Sequence, residues 1–491
     1  MSTEVEYYQV LGVPRDATPE EMRNAYFELA KRLHPDTSPN PASKEDFLLV
    51  QRAYEILSNP ERRQVYDATL PKQKPISTVS LDLKLSRSSI PLLKESQVVY
   101  ALVEITCTAE PDRTKTPPRN ICLVVDRSTS MKGDRMDTVK QNIEQLIKKL
   151  APNDTFGLVA FSDRAEVIIP QTRAPELSRQ VQKIHQIESS GGTEIFQGLD
   201  TGINELRFHS NRLGTRHLIL LTDGHTYGDE EACYKTVKQA AMEGMVVSGL
   251  GIGHEWNDSF LDQLTSLSGG ETRFIIKPHD LSRYFEERIS AVENIYAHGM
   301  SYEFTMGPGV ELRDVYRLSP GVNLIPPNSP IILGNLCFGK NQTILFEFMV
   351  PPLADGTDSI RLAEGRLRMD IPSEGGLQRF LLSIKSPVSS EVTMELPPEE
   401  IIDALSRLTL YRLQERARQE VEKGNISQAT KHLQYLATHL LSYGDRELAH
   451  IVLMEAEHIQ QSRRFSQDGD KRIKYGTRAL LLPSGLEQKN L

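Results

Sequence analysis

Cysteine is scarce: Cys107, Cys122, Cys233 and Cys337 are the four in 491 residues, and none sits in a C-x-x-C pair. That scarcity argues against a disulfide framework and against a thiolate zinc site. Long apolar runs are missing as well. HLILLT at 217–222 is typical of the longest, far short of the roughly 20 residues that a membrane-spanning helix needs. No basic stripe stands out against a net charge of −9, so nucleic acid is not an expected partner. The first residues, MSTEVEYYQV, offer neither a basic n-region nor an apolar h-region, and a cytoplasmic location is expected.

What is present falls into blocks. A chain this long usually divides into two to four domains. Residues 1–70 read as helical: Met22, Tyr26, Leu29 and Leu33 recur at helical spacing, as do Phe47, Val50, Tyr54 and Leu57. From 71 to 118 a linker gives way to β texture, with VSLDLKLS alternating and QVVYALVEITCT rich in β-branched residues. Over 119–298, near-continuous apolar strands (NICLVVD, TFGLVAF, AEVIIP, HLILLTD, MVVSGLGIG, TRFIIK) alternate with helical stretches, which predicts a parallel sheet with helices on both faces. Strands without helices return over 299–392, and 393–470 is helical again, punctuated by Gly424-Asn425 and Gly444-Asp445. Residues 471–491 are expected to be a loosely docked tail. The β segment before the α/β block is too short to close a core alone, so it is predicted to share one β-sandwich with the segment after it, the α/β domain being inserted between them.

The chemistry concentrates at VVDRSTSMKGDRM, residues 124–136. Asp126, Ser128 and Ser130 follow the first strand of the α/β block, where open α/β sheets bind ligands. Thr193 precedes a later helix and Asp223 ends the fourth strand, so the same edge collects two carboxylates and three hydroxyls. With no imidazole or thiolate among them, such a set suits Mg²⁺ or Mn²⁺ rather than Zn²⁺. Hydroxyl ligands add no charge, which leaves a cation electrophilic enough to take an external carboxylate. GLGIG at 249–253 has a dinucleotide-like look, but His254 stands where a third glycine would, and core-packing glycines are the expectation. No G-x-S-x-G elbow surrounds Ser128 or Ser130.

D-x-S-x-S followed by Thr193 and Asp223 resembles the metal-ion-dependent adhesion site of the von Willebrand factor type A domain, over roughly 119–297. The resemblance implies a Rossmann-like α/β fold, with Asp126, Ser128, Ser130, Thr193 and Asp223 holding Mg²⁺ or Mn²⁺ and a protein ligand supplying an acidic residue to the metal.

At the other end, YYQVLGV at 7–13, His34-Pro35-Asp36, QRAYEIL at 51–57 and NPERRQVYD at 59–67 together resemble the DnaJ-type J domain. That resemblance implies docking on a DnaK-type heat-shock chaperone through His34, Pro35, Asp36, Arg23, Lys31 and Arg32, and stimulation of its ATP hydrolysis. The docking helix departs from the usual basic pattern. Over 19–33, Arg23, Lys31 and Arg32 are balanced by Glu20, Glu21 and Glu28, and Phe27 and Glu28 stand where basic residues are customary. Electrostatic steering toward a generic chaperone should be weak. No Gly/Phe-rich linker and no C-x-x-C-x-G-x-G repeats follow.

The expected architecture is therefore multidomain: an all-α J domain, an α/β type A domain inserted in a β-sandwich, and a C-terminal helical bundle. The expected function is a co-chaperone adaptor without catalysis of its own. An assembly module with a regulatory J domain is the alternative. A Mg²⁺-dependent phosphoryl-transfer or hydrolytic enzyme using Asp126 and Asp223 is more distant.

Overall fold

Helical spacing in the first block yields α1 (Tyr7–Leu11), α2 (Pro19–Leu33) and α3 (Pro41–Leu57) in the computed structural model. The structure describes residues 7–13, 17, 19–33, 41–59, 62–63, 66, 78–109, 118–208, 214–226, 228–275, 280–391 and 395–480. It divides into two units, Met1–Ser77 and Thr78–Leu491.

In the first unit the periodic residues Met22, Val50 and Leu57 join Tyr8, Leu11, Ala17 and Ala53 in one core, with Tyr26, Leu29 and Tyr54 packed against it. Tyr26 of α2 stacks on Tyr54 of α3 with ring centroids 4.3 Å apart. Arg63 and Tyr66 of the R-R-x-x-Y-D stretch hold α1. Arg63 donates from Nε to the Tyr8 hydroxyl at 2.8 Å and from Nη2 to the Ala17 carbonyl at 3.1 Å, and the Tyr66 hydroxyl accepts from the Tyr7 N–H at 2.9 Å.

The second unit opens with β1 (Val79–Leu85), the two-residue β2 (Ile90–Pro91) and β3 (Gln97–Cys107). After the inserted domain come β10 (Ile295–Met306), β11 (Glu311–Ser319), β12 (Asn323–Ile325), β13 (Ile331–Cys337), β14 (Gln342–Val350), β15 (Ser359–Ile371) and β16 (Gly376–Ser389). They build two sheets, β1-β3-β14-β11-β12 and β13-β10-β15-β16-β2, whose inner faces share one core with Val99, Val103, Tyr302, Phe346, Phe348 and Leu367 in it. Strand β3 lies between β1 and β14, paired from Gln97↔Val350 to Ile105↔Gln342. Each sheet takes strands from both sides of the insertion, as expected.

The inserted domain holds β4 (Arg119–Asp126), α4 (Asp134–Lys148), β5 (Thr155–Phe161), β6 (Ala165–Arg173), the single-turn α5 (Gln182–His185), α6 (Ile195–Phe208), β7 (Thr215–Thr222), α7 (Glu230–Met242), β8 (Met245–Ile252), α8 (Asp258–Ser266), β9 (Thr272–Ile275) and α9 (Asp280–Glu293). Sheet order is β6-β5-β4-β7-β8-β9. The outermost strand differs from the all-parallel expectation: β6 runs antiparallel to β5, because a three-residue turn can return the chain only in that sense. One face packs under α4 and α9, the other under α6, α7 and α8. The GLGIG glycines serve packing. A Cβ on Gly251 would fall 1.9 Å from Cε2 of Trp256, which fills that space instead.

Arg317 ties sandwich to α/β domain. It is 4% exposed and donates to the carbonyls of Gly269, Gly270 and Gly321. The C-terminal bundle is α10 (Glu399–Glu422), α11 (Ile426–Ser442), α12 (Arg446–Ser462) and α13 (Gln467–Leu480). Its first two turns are made where expected, by Gly424 (φ +80°) and Gly444 (φ +87°), positions that glycine adopts without strain. The last helix differs from the reading of 471–491 as a tail: residues 471–480 are helical, and Lys471, Ile473, Lys474 and Thr477 are buried. Among the described residues no helix is long and apolar enough to cross a membrane.

Candidate functional site

Every residue of β4 is buried, as befits a central strand flanked in parallel by β5 and β7. Its register sets Val125 beside Leu221, so Asp126 and the pair Thr222-Asp223 emerge side by side at the carboxyl edge. A tight turn follows, Thr129–Met131, pinned by the fully buried Met131 while Ser130 stays exposed. The loop carrying Thr193 is laced to both neighbours. Ser190 N–H donates to the Arg127 carbonyl at 2.8 Å, Gly192 N–H to Asp163 Oδ1 at 2.8 Å, and Glu194 N–H to the Ser162 carbonyl at 2.8 Å. Thr193 thereby stands against Gly224, where an added Cβ would be 3.0 Å from its Oγ1.

The five residues singled out in the sequence thus gather at one edge. Asp126 Oδ1 accepts from the Ser128 N–H at 2.8 Å. The Ser128 and Ser130 hydroxyls are 2.9 Å apart, and Ser130 donates to Asp223 Oδ1 at 2.7 Å. Asp126 and Asp223 are 0% and 1% exposed. Burial pushes the Asp126 carboxyl above its ordinary range, although hydrogen bonds from Thr222 and Ser128 work against the rise. Two buried carboxylates ringed by hydroxyls fit a hard divalent cation, and the lone pairs of three hydroxyls are available to it.

Two participants escaped the sequence reading. Thr222 donates from Oγ1 to Asp126 Oδ2 at 2.7 Å. Its place directly before Asp223, at the end of an apolar strand, was the available signal. Arg135, in the first turn of α4, donates from Nη1 to Asp223 Oδ2 at 2.7 Å. Nothing local marks that residue, since a first-turn arginine reads as solvated.

In the first unit, Arg23, Phe27 and Lys31 lie at i, i+4 and i+8 on α2, all exposed, with the Arg23 guanidinium 5.6 Å from the Phe27 ring centroid. This places Arg23 and Lys31 on one stripe, interrupted by an aromatic ring that is 55% exposed. His34, Pro35 and Asp36 lie outside the described residues, as does the side chain of Arg32.

Comparison with known proteins assigns the blocks. Residues 6–67 match the DnaJ domain, residues 120–287 the von Willebrand factor type A domain, and residues 399–483 the Sll0103-like, C-terminal alpha-helical domain. The chain is 27% identical over 385 residues to the uncharacterized protein sll0103 of Synechocystis sp., a match covering 76% of this chain and 90% of that one. It is 50% identical over 68 residues to the chaperone protein DnaJ of Caldicellulosiruptor bescii, which amounts to 14% of this chain and 18% of that protein. Among solved structures, a von Willebrand factor type A protein from Catenulispora acidiphila aligns with a TM-score of 0.67 at 15% identity, covering 83% of this chain and 98% of that one. The ArnB paralog VWA2 from Sulfolobus acidocaldarius gives 0.51 at 14% identity, over 83% and 100%. At these identities the likeness is one of fold.

Proposed function

We propose that this chain, which joins a DnaJ domain to a von Willebrand factor type A domain and an Sll0103-like helical domain, is an adaptor that brings a DnaK-type chaperone to a protein selected by its second unit. The observation that carries the reading is the pairing, on one chain, of a DnaJ domain with the buried, hydroxyl-ringed carboxylates at the β4–β7 edge. The first would engage the chaperone through the loop His34-Pro35-Asp36 and the stripe Arg23–Lys31. The second would hold Mg²⁺ or Mn²⁺ on Asp126, Ser128, Ser130, Thr193 and Asp223. A cation held there supplies a seat for an acidic side chain of the selected protein. The chain's own residues orient the cluster: the Ser128 N–H and Thr222 hydroxyl fix the two Asp126 oxygens, and the exposed Ser130 hydroxyl marks the open side. On this reading catalysis belongs to the chaperone, and the purified chain turns over neither ATP nor phosphate esters.

The test is steady-state ATP hydrolysis by the DnaK-type chaperones of the source organism. The wild-type chain should accelerate one of them, and His34→Gln should abolish the acceleration while circular dichroism shows an intact fold. Failure of the wild-type chain to stimulate any of them would overturn the adaptor reading.

A further inference from the structure

Asp223 has a counter-ion of its own. The Arg135 guanidinium takes Oδ2 at 2.7 Å while the Ser130 hydroxyl takes Oδ1 at 2.7 Å, so both oxygens of this buried carboxylate are engaged. Asp126, by contrast, accepts from the Ser128 N–H and the Thr222 hydroxyl, both neutral. Space for the guanidinium comes from the far side of the edge. Gly253, with φ +70°, follows β8, and a Cβ there would lie 3.3 Å from Arg135 Nη2. The Arg135 side chain is 42% exposed, at the rim rather than beneath the cluster.

We propose that Arg135 is the site's built-in competitor for the cation: it neutralises Asp223 when no metal is bound, and a metal that uses Oδ2 must push the guanidinium off that oxygen, leaving its charge at the rim beside the loaded cluster. The proposal rests on the reading that the cluster holds a divalent cation. Two carboxylates and one guanidinium leave a single net negative charge. A divalent ion turns that into a single net positive charge, which one carboxylate from a protein ligand cancels. Without the arginine the loaded cluster would be neutral, and its pull on an acidic side chain weaker. Arg135 therefore lowers affinity for the bare ion and raises the attraction for the ion's acidic partner, so that the two bind together.

Titration calorimetry of the full chain with Mg²⁺ and with Mn²⁺ tests this, on wild type, Arg135→Gln, Arg135→Lys and the double variant Arg135→Gln/Asp126→Ala. Arg135→Gln should bind the ion about tenfold tighter, roughly 1.4 kcal/mol, and should melt below wild type in EDTA, where the two aspartates lose their counter-charge. Arg135→Lys keeps the charge without the fork, so it should fall between the two; it carries the test if the glutamine variant does not fold. The double variant should bind no ion, which locates the effect in this cluster. Equal or weaker binding by both single variants, with wild type binding normally, overturns the proposal and leaves the metal reading standing. Absence of binding in all four proteins removes both.

Discussion

Replacing Asp258 by alanine should release the last helix from the α/β domain. Asp258 opens α8, and its carboxylate is 9% exposed. It accepts from Arg418 of α10 at 2.9 and 3.1 Å, and from Lys474 of α13. Around it, Lys474 also meets Asp262 at 2.8 Å, Arg478 meets Asp262 at 2.7 Å, and Arg418 meets Asp470 at 2.7 Å. Three cations thus face three carboxylates with little water between them. Deleting one member of a buried ion pair costs about 3–5 kcal/mol, because its partner is left desolvated. Asp262 and Asp470 remain to share the surplus charge, so about 3 kcal/mol is expected, near a hundredfold in the docking equilibrium. The reporter is built in. Trp256 is the chain's single tryptophan, it is 1% exposed, and it lies under α13, with Lys471 Nζ 4.5 Å from its ring centroid and the Tyr475 ring 5.8 Å away. Urea titration followed by tryptophan emission should show the variant's red shift at clearly lower denaturant. Burial alone would raise the Asp258 carboxyl, but Arg418 and Lys474 outweigh it and hold it well below the usual range. A carboxylate depressed in the folded state stabilises above its unfolded value, about 3.9, and that contribution fades as pH falls through the depressed folded value. The ionic contribution of Asp258 to docking should therefore be level from neutrality to about pH 4 and decline only below it. An unchanged midpoint and emission maximum for Asp258→Ala would refute the account.

Three further outcomes are expected. Replacing Phe27 and Glu28 by Arg and Lys should raise affinity for a generic DnaK-type chaperone and make it more salt-sensitive; unchanged binding at low salt would show that these positions do not limit docking. Asp126→Ala should fold in EDTA, since it removes a buried carboxyl, yet lose the stabilisation that the cation gives wild type, roughly 2.7 kcal/mol at one hundred times the dissociation constant. Melts of both proteins in Mg²⁺, Mn²⁺ and EDTA decide it, and a wild-type melting temperature indifferent to metal leaves no case for the site. Arg317→Met should lower the melting temperature through a loss of about 3 kcal/mol, because the carbonyls of Gly269, Gly270 and Gly321 lose a buried donor; a variant as stable as wild type would mean that those carbonyls find other donors.

What could be seen in the chain beforehand follows the range of the interactions. Asp126, Ser128 and Ser130 were legible because they fall within one turn at the end of an apolar strand. Asp223 joined them because parallel strands end at a common edge, and Thr193 because it stands in a loop just before a helix of the same α/β block. The sandwich was legible from a deficit, a β segment too short to bury its own face, which β14 makes good. The direction of β6 was not, since AEVIIP reads the same whichever way it runs. Arg135 was not, because its partner Asp223 is 88 residues away. The clearest case is α13. Lys471, Lys474 and Arg478 give it the polarity of a solvated tail, and local hydropathy has no term for a carboxylate waiting elsewhere. Lys474 finds Asp258 across 216 residues, and Arg478 finds Asp262 at the same separation. The charges that made the segment look loose are those that hold it, and only the folded α8 supplies the other half of each pair.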